Sequence, residues 1–329
     1  MSQTEHGSFT FADFRLQSGD VVPQVTLAYC TRGKLASNRR NAVLVTHGYT
    51  SGHRMIEAGA GSSEGSWSTL VGPGAPIDTD RDLVVCSNML GSSYGSTNAA
   101  AHNPRTGRPY GSRFPHITVA DIVTAQRHLL QQLGVQHLRA VVGPSYGGFQ
   151  AFQWAVTFPD DMDGIVPVVS SPRAQSRDRV ARLLARFQQN PNWNGGDYYG
   201  TPGMFDTLRE LRIETLKGYG MQASDAEIER TATAWAKEFD ANSLLILGRA
   251  MESYDVTPDL QRIRVPVLYV LSRTDALFPP SLAPEVMKAL RGAGVDATYF
   301  EIDSDKGHLA SGADAAKWAP ALRAFMARL

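Results

Sequence analysis

The chain has 329 residues, and its 32 Lys and Arg balance 32 Asp and Glu, giving a formal net charge of zero. That length can bury a large core, and the charge balance gives no electrostatic case for nucleic acid or an anionic membrane as partner. No apolar run approaches a membrane span, and Met1 to Thr10 lack the apolar core of a secretory signal, so a soluble cytoplasmic protein is expected.

Phe9 to Leu16 and Val21 to Cys30 read as two strands joined around Ser18-Gly19-Asp20, an N-terminal hairpin. Ala42 to His47 is a continuous apolar strand that runs into the small-residue loop Gly48-Tyr-Thr-Ser-Gly52, and Leu83 to Ser87 is the next strand. Cys30 and Cys86, the two cysteines, lie in these runs and read as buried free thiols. The Gly-rich stretch Glu57 to Gly65 follows no strand and opens no helix, so it is a loop and not a dinucleotide fingerprint. His47 and His53 have no metal-motif spacing, and neither a metal nor a cofactor is expected.

Ile117 to Leu133 repeats apolar residues at helical period, with Thr118 and Asp121 at capping-box spacing. Leu138 to Val142 is a buried strand, and the helix Gly148 to Val156 stops near Pro159. A further strand follows over Gly164 to Val169. From Ser171 to Tyr254 strand patterns vanish. Helices are expected over Asp178 to Gln189, Phe205 to Tyr219, Ala226 to Phe239 and Asn242 to Tyr254, with an aromatic, Gly-rich loop at Asn190 to Tyr199. Strand and helix then alternate again: Pro266 to Leu271, Ser281 to Arg291, Ala297 to Ile302 and Ala313 to Leu329. This order predicts an α/β fold with a doubly wound, mostly parallel sheet. Residues 1–170 and 258–329 form the core domain, and 171–257 a helical lid over the carboxyl ends of the strands, where open sheets of this kind bind ligands.

Between the strand at Leu138 and the helix at Gly148 stands Gly143-Pro-Ser-Tyr-Gly147, a G-x-S-x-G pattern in the strand–turn–helix context of the α/β-hydrolase nucleophile elbow. Ser145 is the candidate nucleophile. A serine hydroxyl needs a base, and the base needs a carboxylate to hold its tautomer. Of the eight histidines only His308 follows the elbow, as the Ser, acid, His order requires. Asp275, directly after the strand ending at Leu271, is the candidate acid. Asp303 and Asp305 share the loop of His308, whereas orienting its ring from across the site calls for another strand end. The oxyanion hole is assigned to the amides of Tyr146 and Tyr49.

The chain resembles the homoserine O-acetyltransferase family of α/β-hydrolases over nearly its whole length. The matching stretches include Asn41 to His47, Leu70 to Arg81, Ser87 to Gly91, Asn103-Pro-Arg-Thr-Gly-Arg-Pro-Tyr-Gly111, the elbow, and Asn192 to Tyr199. The resemblance implies a triad at Ser145, Asp275 and His308, ping-pong acyl transfer through an acyl-serine, and a lid that also mediates dimerisation. Arg212 and Tyr219 match the spacing of the family's lid Arg and Tyr, which lie beside the amino-acid carboxylate. Several positions depart from the family, among them Pro144 and Gly48 and the residues between Arg212 and Tyr219. Leu309 stands after the catalytic histidine in place of an Asp that can pair with the substrate ammonium. The elbow has Tyr146 where the family usually has Met, and the early loop has Tyr49 where it usually has Leu.

Leucine offers an ammonium no charge-assisted hydrogen bond. The expectation is therefore a serine hydrolase cleaving small acyl esters, acetyl esters first. The alternative is an O-acyltransferase moving an acetyl group from acetyl-CoA to homoserine or a related alcohol. A non-enzymatic binding protein on this scaffold is disfavoured by the intact Ser, Asp and His. The apolar lid residues Leu208, Leu211, Leu216, Leu244, Leu245 and Leu247 further suggest a homodimer packed through the lid.

Overall fold

In the computed structural model, which describes residues 4–59 and 66–329, eight strands form one sheet. They are β1 (Glu5–Arg15), β2 (Val21–Arg32), β3 (Ala42–Thr46), β4 (Leu83–Ser87), β5 (Leu138–Pro144), β6 (Ile165–Val168), β7 (Val267–Ser272) and β8 (Ala297–Ile302). Their spatial order is β1-β2-β4-β3-β5-β6-β7-β8. The β1–β2 hairpin and the β2–β4 pair are antiparallel, and every pairing from β4 to β8 is parallel. All residues of β3 and β4 are buried, because a parallel sheet covered on both faces has no solvent side.

Alternation along the strands divides the apolar side chains between two cores. Ala42 and Leu44 join a cluster with Ile122, Leu129 and Phe152 from α1 (Val119–Gln132) and α2 (Tyr146–Thr157). Val43 and Val45 face the other way, into a cluster with Trp67, Trp318, Leu322 and Phe325. The capping box of α1 is complete: Thr118 Oγ1 accepts from the Asp121 amide at 3.2 Å, and Asp121 Oδ2 from the Thr118 amide at 2.8 Å.

The insertion contains α3 (Arg179–Phe187), α4 (Phe205–Gly218), α5 (Asp225–Ala236) and α6 (Ala241–Glu252), all where helical period predicted them. The chain then returns through β7, α7 (Ala283–Gly292) and β8. One element differs from expectation. The closing helix α8 spans only Ala319–Arg328, and short turns replace its expected first residues. Pro320 in the first turn starts it cleanly, since a proline there gives up no helical hydrogen bond.

Leu208, Leu216, Leu244, Leu245 and Leu247 are buried within the protomer, and Leu211 is half-buried. They are core residues of the lid and its docking face, so they do not carry the dimer inferred from them. Cys30 and Cys86 are buried, free and directly opposite each other between β2 and β4. Most of the expected loop Glu57 to Gly65 lies outside the described residues. Among the described residues no helix is long and apolar enough to cross a membrane, and no cluster of His, Cys, Asp and Glu could hold a metal.

Candidate active site

β5 ends at Pro144 and α2 begins at Tyr146, leaving Ser145 alone in the turn at φ 56° and ψ −120°. A non-glycine residue there is strained by on the order of 1–3 kcal/mol and persists only when its surroundings hold it. Here the Ser145 amide donates to Val168 O at 2.8 Å, and Ser170 Oγ donates to Ser145 O at 2.7 Å. The flanking glycines are sterically required. A Cβ on Gly143 would stand 2.1 Å from Thr46 Oγ1, and one on Gly147 2.3 Å from Thr46 O.

Asp275 follows β7 and His308 follows β8, so both come from the carboxyl edge of the sheet that also ends in the elbow. His308 Nδ1 is 2.8 Å from Asp275 Oδ2, and both residues are buried. The other carboxylate oxygen is already committed: Oδ1 accepts the amides of Leu277 at 2.8 Å and Phe278 at 3.2 Å. Thr274 ties the two loops together, because its Oγ1 donates to Ser304 O at 2.9 Å and accepts the Gly307 amide at 3.1 Å. The carboxylate thus has one free edge, and it faces the imidazole. Asp303 is exposed in an ion pair with Arg273, and Asp305 is exposed beside Lys306, so neither holds the His308 ring.

Tyr146 is the first residue of α2, and the amides of a first helical turn have no intrahelical partner. Its ring stacks on that of Tyr49, with centroids 6.0 Å apart. Both phenols are buried, and desolvation pushes their pKa values far above the usual tyrosine range, so they stay protonated donors. His47 is a structural residue. Its Nε2 accepts the Met89 amide at 3.0 Å, which assigns the ring proton to Nδ1, 2.8 Å from Gly48 O. Burial lowers its pKa to about 3, so the ring stays neutral.

The lid brings two further predicted residues to this place. Arg212 on α4 is buried, donates from Nη1 to Thr50 Oγ1 at 2.9 Å and lies over the Trp235 ring, 5.1 Å from its centroid. A surface position, the default for an arginine on a charged helix, is excluded. Tyr219 meets His308 directly, its ring 4.9 Å from the imidazole and its carbonyl accepting the His308 amide at 3.1 Å. Leu309 is half-buried in the same short turn as His308.

Sequence reasoning missed three supports. Trp235 Nε1 donates to Thr50 O at 3.0 Å, so α5 grips the early loop. Gln150 donates to His47 O at 3.0 Å and accepts from Gln126 at 2.7 Å, linking that loop to α1 and α2. Thr274 is the third. Each is an ordinary residue in its element, with no local pattern to distinguish it.

Residues 41–312 match the alpha/beta hydrolase fold family. Homoserine O-acetyltransferase of Geobacter sulfurreducens is 37% identical over 99% of this chain and 98% of its own length. The corresponding enzyme of Rhodospirillum rubrum is 33% identical over 96% of this chain and 90% of its own length. Among solved structures, esterase E22 superposes with a TM-score of 0.89 at 24% identity, covering 98% of this chain and all of that one. Homoserine O-acetyltransferase from Bacillus anthracis gives 0.89 at 23% identity, covering 99% of this chain and 98% of that one.

Proposed function

Since the chain belongs to the homoserine O-acetyltransferase-like family of α/β-hydrolases, we propose that it is an acyltransferase working through an acyl-Ser145 intermediate. The observation that carries the chemistry is the buried Asp275–His308 hydrogen bond on the sheet edge that also presents Ser145. With the proton held on Nδ1 by Asp275, His308 Nε2 takes the Ser145 proton as Oγ attacks the acyl carbonyl. The amides of Tyr146 and Tyr49 stabilise the oxyanion. Collapse leaves the acyl group on Ser145 and returns the proton to the leaving thiol or alcohol. An acceptor hydroxyl, deprotonated by His308, then carries the acyl group away.

Acetyl-CoA as donor in the first half-reaction, with homoserine or a related alcohol as acceptor in the second, is the pairing best supported, because the curated relatives that span the chain are homoserine O-acetyltransferases. Arg212, a buried guanidinium on the helix that ends at Tyr219, whose ring meets His308, suits an acceptor carboxylate. The preference for hydrolysis drawn from the sequence thus becomes the second reading. Leu309 is the observation that favours it, since an ammonium desolvated without a partner binds poorly. Product analysis separates the two: acetyl-CoA and an activated acetyl ester are each supplied with and without homoserine. O-acetylhomoserine as main product supports transfer, and free acetate at an unchanged rate when homoserine is added supports hydrolysis. Cytoplasmic location and a homodimer belong to the same family-based reading, and sedimentation velocity over a range of concentrations tests the dimer.

A further inference from the structure

The two residues whose amides are assigned to the oxyanion hole both send their side chains to one lid helix. Tyr49 Oη donates to Leu244 O, and Tyr146 Oη donates to Leu247 O at 3.2 Å, carbonyls about one turn apart on α6. A carbonyl oxygen has two lone pairs, so each accepts the phenol besides its helical partner. Gly248 makes the approach possible: a Cβ there would stand 3.2 Å from Tyr49 Oη and 3.0 Å from Val180 Cγ2. The two rings are stacked within 9° of parallel, their centroids 6.0 Å apart, so each side chain packs beside the other.

The helix that receives them is itself anchored. Asp240 caps α6 by accepting the Ser243 amide at 3.0 Å, and its other oxygen accepts the hydroxyls of Tyr198 at 2.9 Å and Tyr199 at 3.0 Å. The Asp240 amide donates to Ser93 Oγ at 2.9 Å, which ties the cap to the core loop after β4. The aromatic segment Asn190 to Tyr199 therefore holds the start of the helix that holds the tyrosines. An apolar side chain at either position would carry no hydroxyl and could make neither bond.

We propose that Tyr49 and Tyr146 are positioning residues, whose hydroxyl bonds to α6 hold the two oxyanion-stabilising amides in place and make lid docking a condition of acylation. This rests on the acyl-serine reading. The geometric demand is severe, because oxyanion donors act at 2.7–3.1 Å from the oxygen and lose most of their effect when displaced. The Tyr146 amide is fixed by the elbow, whereas that of Tyr49 sits on a loop, where a tether matters more.

Tyr49→Phe, Tyr146→Phe and the double variant remove only the hydroxyls, and Leu244 O and Leu247 O keep their helical positions. With 4-nitrophenyl acetate, kcat for acylation should fall about ten-fold in Tyr49→Phe and by a smaller factor in Tyr146→Phe, whose amide the elbow also holds, both less than the roughly 10²–10³ lost when an oxyanion donor is removed outright. KM should stay within about two-fold, because the interaction is made in the transition state. Affinity for a trifluoromethyl ketone, which forms a tetrahedral oxyanion on the serine, should fall by the same factor as kcat. Gly248→Ala, which crowds Tyr49 Oη, should reproduce the pattern. Unchanged kcat with a lowered melting temperature, or a loss of kcat not matched by loss of ketone affinity, overturns the inference. Absence of a burst and of Ser145-dependent ketone binding in the unmodified protein would instead overturn the acyl-serine reading, before any variant is compared.

Discussion

Asp275→Asn tests the charge-handling pair more sharply than deletion would, because the structure dictates which way the amide must sit. Asp275 Oδ1 accepts two backbone amides, from Leu277 and Phe278, while Oδ2 is 2.8 Å from His308 Nδ1. An asparagine keeps the two backbone bonds only by placing its oxygen at the Oδ1 position. Its NH2 then faces His308 Nδ1, and two donors cannot share that contact. The ring responds by moving its proton to Nε2, leaving Nδ1 to accept. Nε2 can then no longer take the Ser145 proton. A wrong tautomer with otherwise intact geometry costs about 10⁴ in kcat in the chymotrypsin-type triad, which shares this arrangement on another fold, or roughly 5 kcal/mol of transition-state stabilisation. The fold should survive, since the variant is isosteric and every contact of residue 275 keeps a partner. Turnover of 4-nitrophenyl acetate at saturation, between pH 7 and 9, reads the loss, and circular dichroism checks the fold. A loss under about ten-fold in a folded variant would refute Asp275 as the orienting acid.

Ser145→Ala should abolish both ester turnover and labelling by a fluorophosphonate. Labelling that persists would identify another nucleophile. Leu309→Asp supplies the carboxylate missing beside the catalytic histidine, so transfer to homoserine should rise relative to hydrolysis by about ten-fold, as for one charge-assisted hydrogen bond. Equal effects on transfer and hydrolysis would remove Leu309 from acceptor recognition. Acidification should destabilise the protein, because burial lowers the pKa of His47 from 6.5 to about 3 and that of His53 to about 4. Below pH 6.5 the unfolded chain takes up protons that the folded one refuses. Stability is therefore complete above that pH and falls toward pH 4 by up to about 1.4 kcal/mol per unit for each ring. Melting temperatures from pH 7 to 5 should show this, and His47→Asn, which cannot titrate, should reduce the slope. An unreduced slope would place the proton uptake elsewhere.

Much of the molecule was legible because its signals are local. Continuous apolar runs such as Ala42 to Thr46 and Leu83 to Ser87 mark strands buried on both faces. Thr118 with Asp121 marks a helix start, and Gly143 and Gly147 flanking Ser145 mark a turn whose edges pass too close to Thr46 for a Cβ. Order alone selected His308, and the requirement for a separate strand end selected Asp275 over Asp303 and Asp305. The closing helix was read too long because the alanines from Ala313 to Ala319 suit a helix individually. Only their packing breaks that stretch into short turns.

Which way a helix faces, and what its carbonyls meet, depends on residues a hundred or more positions away. Arg212 reads equally well as a surface charge or, by resemblance, as an acceptor-site residue until α4 is seated on Thr50, and the lid leucines read as an interface until they are found inside the protomer. Tyr49 and Tyr146 register in the sequence only as departures from a pattern. Their hydroxyls acquire a role when α6 lays Leu244 O and Leu247 O over them. The sequence by itself determined the fold, the strand–turn–helix around Ser145 and the pairing of Asp275 with His308, because periodicity, turn chemistry and chain order are written along the backbone. The tertiary structure alone decided how the lid engages the site, because those contacts join segments whose separation in sequence carries no information about their meeting in space.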